Sequence, residues 1–246
     1  LAQPLVEAIY KRVLFKGAFP VLKITFSTLA PLYYKNASDK QLDTLLEIEE
    51  LTYKQAQVLI NIDAPGNVKD LSTIDPGRLT RRAKAMQPIQ EMIISDRLRW
   101  VLCHYPTQAL AQEAEMSLFE YEDFLFGATN IDWLEQSQFQ GSIKKRFDTG
   151  SEVRLTGPGT DLKFSIAGRE GIKCDGHRNM PDGEVFFAPV EDSVDGYITY
   201  DFPAIYYGKE VDGIYLEFTQ GRVVKAAAEK NQALLEKVLD TDHYGL

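Results

Sequence analysis

The window DGHRNMPDGEVFFAPVEDSVDG, residues 175–196, concentrates the residue types that could do chemistry in this chain. It holds His177, Arg178 and Asn179, followed by a Pro-Asp-Gly turn and by Glu184 at the start of a predicted strand. A turn gives a carboxylate a fixed direction and an open side, which divalent metal ions need in a ligand. From the residues alone, the simpler interpretation is an exposed glutamate at a strand start, and the metal-ligand interpretation stays open beside it.

The histidines and cysteines give little support to a separate metal site. Three histidines, at positions 104, 177 and 243, are too few for a histidine-rich centre. His104 ends a predicted strand, where a lone histidine is typically a packed or capping residue and less often a ligand, and His243 is assigned no role. Cys174, Asp175 and His177 are donors within four residues, a spacing that would strain a tetrahedral zinc site.

Motifs of other enzyme classes are absent from the sequence. No Gly-x-Gly-x-x-Gly follows a predicted strand, and neither Gly-x-Ser-x-Gly nor His-Glu-x-x-His occurs. A basic cluster formed by Arg78, Arg81, Arg82 and Lys84 lies on a predicted helix. Such a cluster is typical of a solvated helix face rather than of a clamp for an anionic ligand.

Composition limits the classes of partner. The 246 residues are 44% hydrophobic and carry a formal net charge of -9, which indicates a packed protein and disfavours nucleic acid as a partner. No apolar run approaches the roughly 18 residues that a membrane span needs, so no membrane partner is expected. Two cysteines without metal-ligand spacing indicate free thiols in a reducing cytosol. Because the chain lacks an initial methionine and stops after a predicted helix, we expect a piece of a longer polypeptide.

The elements that would position the candidate residues change in kind along the chain. Residues 1–148 alternate helical patterns with apolar runs, which predicts an open α/β sheet domain with parallel strands. Its predicted strands are PVLKITF, AQVLINI and RWVLCHY, at residues 20–26, 56–62 and 99–105. A single helix is predicted over 76–94, and capping residues predict helix starts at Ser38, Thr107 and Ser117.

Residues 149–246 are predicted to form a second, β-rich (α+β) domain. Short strand-like runs separated by Gly, Pro and Asp replace the helical period, and an amphipathic helix follows them at residues 228–239. The segment TGPGTDL predicts a hairpin whose Asp161 accepts hydrogen bonds from nearby backbone amides. The fold class is therefore α/β, with the candidate Glu184 in the second domain.

Several segments closely resemble the aminopeptidase T (aminopeptidase II) family of metallopeptidases. They are RWVLCHYPTQALAQEAEMSLFEYEDF, LTGPGTDLKFSIAGR, the window 175–196, and EVDGIYLEFTQGRVVKAAAEKNQALLEKVLDTD. The resemblance covers nearly the whole chain. It implies a metal-dependent aminopeptidase that releases N-terminal amino acids from peptides through two divalent ions, zinc, cobalt or manganese.

The resemblance also implies where the site residues lie. Glu184 maps onto a metal ligand, and Asn179, Arg178 and His177 would contact substrate or support that ligand. The family's other ligands, its general-base glutamate and its catalytic tyrosine are expected beyond Leu246, so these residues alone are expected to bind no metal pair and to be inactive. A cytoplasmic homodimer is expected. The alternative is a non-catalytic binding or assembly module with the same fold.

Overall fold

The computed structural model describes residues 1–95, 97–206 and 209–240, which divide into two compact units. The first unit comprises Leu1–Ile131 and Gly176–Asp182, and the second comprises Asp132–Asp175 and Gly183–Leu246. The chain therefore returns briefly to the first unit near the start of the window 175–196. The domain boundary at residue 148 stays a prediction.

Most of the described helices lie in the first unit, and most of the described strands lie in the second. The helices are α1 Gln3–Phe15, α2 Leu29–Asn36, α3 Asp39–Asp43, α4 Glu47–Gln55, α5 Pro76–Ala85, α6 Gln87–Ile94, α7 Gln108–Glu113, α8 Leu118–Thr129, α9 Trp133–Asp148 and α10 Gln232–Leu239. The strands are β1 Val58–Asp63, β2 Arg99–His104, β3 Glu152–Gly157, β4 Thr160–Ser165, β5 Ile172–Cys174, β6 Asn179–Met180, β7 Glu184–Phe186, β8 Asp195–Thr199, β9 Ala204–Tyr206, β10 Lys209–Val211, β11 Tyr215–Thr219 and β12 Arg222–Ala227. The α/β class is confirmed. Within the described residues, no helix combines the length and the apolar character needed to cross a bilayer.

The predicted helix starts are confirmed by their capping contacts. Ser38 and Ser117 each form a capping box, with Gln41 and Glu120 respectively, and the Thr107 hydroxyl accepts from the backbone N–H three residues on. The two hydrogen bonds from Ser117 to the Glu120 carboxylate lower the pKa of that carboxyl group. These caps are local chemistry, which explains why the sequence alone located them.

The helix predicted over 76–94 is two helices, α5 and α6, separated at Met86. Pro88 lies in the first turn of α6 and has no backbone N–H to continue the hydrogen-bond pattern of α5. Proline is tolerated where the first N–H groups of a helix lack partners, so the chain restarts there.

The prediction that the basic residues of α5 form a solvated face is wrong for Arg78 and Arg82, which are partly buried, and holds for the exposed Arg81. Arg81 forms an ion pair with Asp43 at 2.6 Å, and its hydrogen bond lowers the pKa of that carboxyl group. Arg82, with a side chain only 15% exposed, contacts Glu49 at 2.9 Å. The Arg78 guanidinium donates to backbone carbonyls at the end of α2. Because α3 packs on α5, carboxylates and backbone carbonyls lie close enough to pair with these cations.

The first unit contains a parallel three-stranded sheet with the order β1–β2–β6. Strands β1 and β2 pair over their whole length, from Val58 opposite Arg99 to Asp63 opposite His104. Strand β6 adds only two residue pairs to β2 and comes from the returning segment 176–182. The sheet confirms the predicted strands at 56–62 and 99–105.

The strand predicted at residues 20–26 is absent, and this prediction is wrong. The segment is described but has no strand assignment, and its side chains are exposed, with Val21 at 86% and Ile24 at 68%. Strand propensity is realised only where a neighbouring backbone supplies the ladder. No strand of the described residues supplies one to this segment.

The second unit is built on an antiparallel five-stranded sheet with the order β12–β11–β8–β4–β3. The predicted hairpin over TGPGTDL is β3–β4. The Asp161 carboxylate, however, forms a bidentate pair with Arg154 across the hairpin, with both contacts at 2.8 Å, and this pair lowers the pKa of Asp161. The expectation of a local amide partner for the side chain is therefore corrected, because the cross-strand cation lies within reach.

Gly196 is the point at which β8 approaches β4 too closely for a side chain. Its φ is +109°, and a Cβ added there would lie 2.1 Å from the carbonyl oxygen of Asp161. We expect Gly196→Ala to destabilise the second unit by at least about 2 kcal/mol, since the backbone must move to relieve both strain and overlap. Urea unfolding monitored by circular dichroism measures this change.

Gly141→Ala is the matched control for that substitution. Gly141 lies inside α9, and a Cβ there meets nothing within 4 Å. Alanine in a helix interior is expected to stabilise by about 0.5–1 kcal/mol. Equal unfolding midpoints for the two variants would contradict the close approach at Gly196.

Candidate functional site

Glu184 lies at the first position of β7, opposite Cys174 of β5 in a two-stranded antiparallel ladder. The N–H of Gly183 donates to the carbonyl of Cys174 at 3.0 Å, which fixes the backbone just before Glu184. The Glu184 side chain is exposed. The predicted strand start is confirmed, and the carboxylate is presented outward from a backbone that the ladder holds.

Gln140 of α9 supports this ladder from the buried side. It is 1% exposed, and its Nε2 donates to the carbonyl of Cys174 at 2.8 Å and to that of Glu184 at 2.7 Å. Its Oε1 is buried, and no described residue hydrogen-bonds to it. Gln140 could not be identified from the sequence, because both contacts join residues more than thirty positions apart.

A second polar cluster joins α9 to β5. The Ser137 hydroxyl donates to Asp175 at 2.7 Å and accepts from Lys173 at 2.6 Å, while Lys173 and Asp175 form an ion pair at 3.0 Å. The Asp175 side chain is 10% exposed. Its carboxylate is therefore engaged by a cation and a hydroxyl, which weakens the zinc alternative built on Cys174, Asp175 and His177.

The other predicted site residues belong to the first unit. The carbonyl of Arg178 accepts from Leu102 of β2 at 2.7 Å, and its guanidinium lies 5.5 Å from the centre of the Trp100 ring. Asn179 pairs with Leu102 in the sheet and is half-buried, whereas His177 is exposed. The sheet thus fixes Arg178 and Asn179, while Glu184 is fixed in the second unit.

The loop carrying these residues is closed by Asp182. Its carboxylate accepts from the N–H of Gly176 at 3.2 Å, which matches the role of a turn residue. Two acidic residues further on are exposed and also have partners: Glu191 pairs with Arg169, and Asp195 accepts from the N–H of Gln220 at 2.9 Å.

His104 is neither packed nor a cap, and the sequence interpretation is corrected. Its Nδ1 lies 3.3 Å from a carboxylate oxygen of Asp63, and both side chains are nearly half exposed. The two residues end adjacent parallel strands in register, so the pairing could not be seen without the sheet.

Neither cysteine forms a disulfide, and burial raises the pKa of the Cys103 thiol.

The donor groups of the described residues limit the metal binding that these residues could support. In the part of the chain that the structure describes, no three His, Cys, Asp or Glu residues lie together as a ligand group. Glu184 fits the requirements of one ligand, since its carboxylate is exposed and its backbone is held by pairing between β7 and β5. The described residues therefore offer one candidate ligand for a divalent ion.

Comparison with known proteins gives a consistent family. A model described as thermophilic metalloprotease (M29) matches residues 1–245. Aminopeptidase 2 of Geobacillus stearothermophilus is 28% identical over 223 residues, which cover 79% of this chain and 54% of that protein. Aminopeptidase AmpS of Bacillus subtilis is 27% identical, with 65% of this chain and 46% of that protein covered. Aminopeptidase T of Thermus aquaticus is 34% identical over 110 residues, which cover 40% of this chain and 26% of that protein.

The fold is shared with a solved structure, wild-type AmpT from Thermus thermophilus. The TM-score is 0.81, with 98% of this chain and 67% of that chain covered, at 23% identity. At this identity the likeness shows the fold alone. The chain spans about half the length of the first two curated relatives.

Proposed function

The chain belongs to the thermophilic metalloprotease (M29) family, and from this premise we propose that it forms part of a metal-dependent aminopeptidase. The observation that carries the proposal is the family match over residues 1–245, together with relatives that are named aminopeptidases. The reaction is the hydrolysis of the first peptide bond of a peptide, which releases the N-terminal amino acid. Peptides are thus the proposed substrates.

Glu184 is proposed to hold one of two divalent ions, zinc, cobalt or manganese. Such ions polarise a carbonyl oxygen and lower the pKa of bound water, which supplies the nucleophile at neutral pH. The exposed carboxylate and the fixed backbone of Glu184 support this role. A single carboxylate does not complete a site, so the proposal places the remaining ligands and the general base outside the described residues.

Arg178, Asn179 and His177 are proposed to contact the peptide or the groups around the ligand. Arg178 and Asn179 are held on the sheet by β2 and remain partly exposed, which suits side chains that orient a substrate. His177 is exposed on the same short segment. Their polar groups would orient the peptide backbone and leave its first side chain unselected.

A cytoplasmic homodimer is the proposed form of the enzyme. The expectation rests on the family resemblance of the quoted segments.

The test is metal-dependent release of N-terminal residues by the whole protein. We expect hydrolysis of leucyl and alanyl peptides, loss of that hydrolysis after dialysis against a chelator, and recovery on addition of zinc, cobalt or manganese. Amino acid release followed by chromatography is the measurement. N-acetylated versions of the same peptides are the control and should remain intact.

Two outcomes would refute the proposal. Full activity in protein shown by elemental analysis to be metal-free would exclude metal-dependent hydrolysis. Binding of peptides without hydrolysis in metal-loaded protein would favour the non-catalytic binding module.

A further inference from the structure

We propose that Gln140 is the positioning residue for Glu184, and that it sets the direction in which this carboxylate is presented to a divalent ion. The inference rests on the proposed function, because it assigns Glu184 a metal-binding role. It goes further by naming a residue of α9 that neither the family resemblance nor the sequence pattern singles out.

The geometry joins Gln140 to both strands of the hairpin at one position. Cys174 and Glu184 are opposite each other in the β5–β7 ladder. The Nε2 of Gln140 donates one hydrogen to each of their carbonyl oxygens, at 2.8 and 2.7 Å. Both hydrogens of the amide are therefore used, and the ladder is fixed at the residue pair that contains the candidate ligand.

The orientation of the amide is dictated by these two acceptors. A flipped side chain would place Oε1 against two carbonyl oxygens, which are acceptors as well. Among the described residues, Oε1 has no hydrogen-bond partner in this orientation. The contacts of the Gln140 side chain with the hairpin are therefore made by Nε2.

The competing explanation is that Gln140 only attaches α9 to the hairpin and has no effect on the ligand. A neighbouring contact allows the two explanations to be distinguished. Ser137, one helical turn earlier in α9, already ties the helix to Lys173 and Asp175 at β5. The hydrogen bonds of Ser137 in that cluster go to residues 173 and 175. Gln140 extends the support to the carbonyl of Glu184 itself, so its removal should disturb the ligand while the helix stays attached.

The experiment compares Gln140→Met with two matched variants of α9 in the whole, metal-loaded protein. Methionine keeps the length and apolar volume and removes both donors. Gln138→Met is the control, since Gln138 is exposed on the same helix. Ser137→Ala removes an anchor to β5 and leaves both bonds of Gln140 in place.

The readouts are metal affinity by chelator competition, the visible absorption of the cobalt-loaded protein, and the thermal midpoint. We expect Gln140→Met to weaken metal binding about 10- to 100-fold, as loss of a residue that orients a ligand typically does, and to change the cobalt spectrum. Gln138→Met should match wild type in all three. Ser137→Ala should lower the thermal midpoint without changing the cobalt spectrum. Gln140→Asn, whose shorter side chain reaches at most one carbonyl, should give an intermediate affinity.

The results separate this inference from the function on which it rests. If Glu184→Gln abolishes metal binding while Gln140→Met leaves affinity and spectrum unchanged, the positioning role is wrong and the proposed function stands. If Glu184→Gln itself has no effect on metal binding, Glu184 is not a ligand and the inference is overturned with that assignment, while metal-dependent hydrolysis is decided separately by the chelation test. If neither Gln140 variant folds, Gln140 is a structural residue and the inference is overturned.

Discussion

Replacing Glu184 with glutamine is expected to abolish most of the aminopeptidase activity of the whole protein while the fold is retained. The amide keeps the shape of the side chain and loses the negative charge that a divalent cation selects. Loss of a ligand should cost more than the roughly 10- to 100-fold that follows loss of a group supporting a ligand. Because the side chain is exposed, its substitution removes little packing.

The measurement pairs turnover with metal content per chain. Glu170→Gln is the control, since Glu170 lies in the same unit with its side chain 88% exposed and its cation 3.5 Å away. It should leave both quantities unchanged. Turnover of Glu184→Gln within a few-fold of wild type, with metal content intact, would show that Glu184 is not a ligand.

Local chemistry made much of the fold predictable. The caps at Ser38, Thr107 and Ser117 act within three residues of themselves, and all three helix starts are confirmed. The strands at 56–62 and 99–105 could be predicted because they are apolar runs bounded by turn residues. The start of β7 could be predicted because it follows the segment Pro-Asp-Gly. These features can be predicted from the sequence because they depend on residues close in sequence and not on tertiary contacts.

The errors occur where a distant partner decides the outcome. The segment 20–26 has strand-forming residues, but no strand of the described residues pairs with it. Strand β6 has two residues and carries no periodicity, so its addition to β2 could not be foreseen. The arginines of α5 have the composition of a solvated face, yet α3 and α4 provide their carboxylates.

The candidate site shows the same division between local and distant information. Glu184 was located by the turn before it and by the family resemblance. Gln140 was not, because glutamine in a helix is ordinary and its two acceptors lie 34 and 44 positions away. The pair formed by His104 and Asp63 likewise depends on strand register. Contacts of this kind depend on packing between distant segments, and the sequence pattern around each residue does not predict them.

The 246 residues purified as such are expected to hold no tightly bound pair of zinc or cobalt ions and to leave aminoacyl substrates uncleaved. Metal affinity depends on several ligands being deprotonated, oriented and held at about 2 Å from the ion at once. The family resemblance assigns one such ligand, Glu184, to this chain. Equilibrium dialysis against zinc, followed by elemental analysis, measures the bound metal, and the Glu184→Gln form of the same 246 residues is the reference for weak surface binding. The two forms should retain equal amounts of metal within error. Two ions per chain in the unsubstituted form, lost in Glu184→Gln, would show that these residues carry a full ligand set around Glu184.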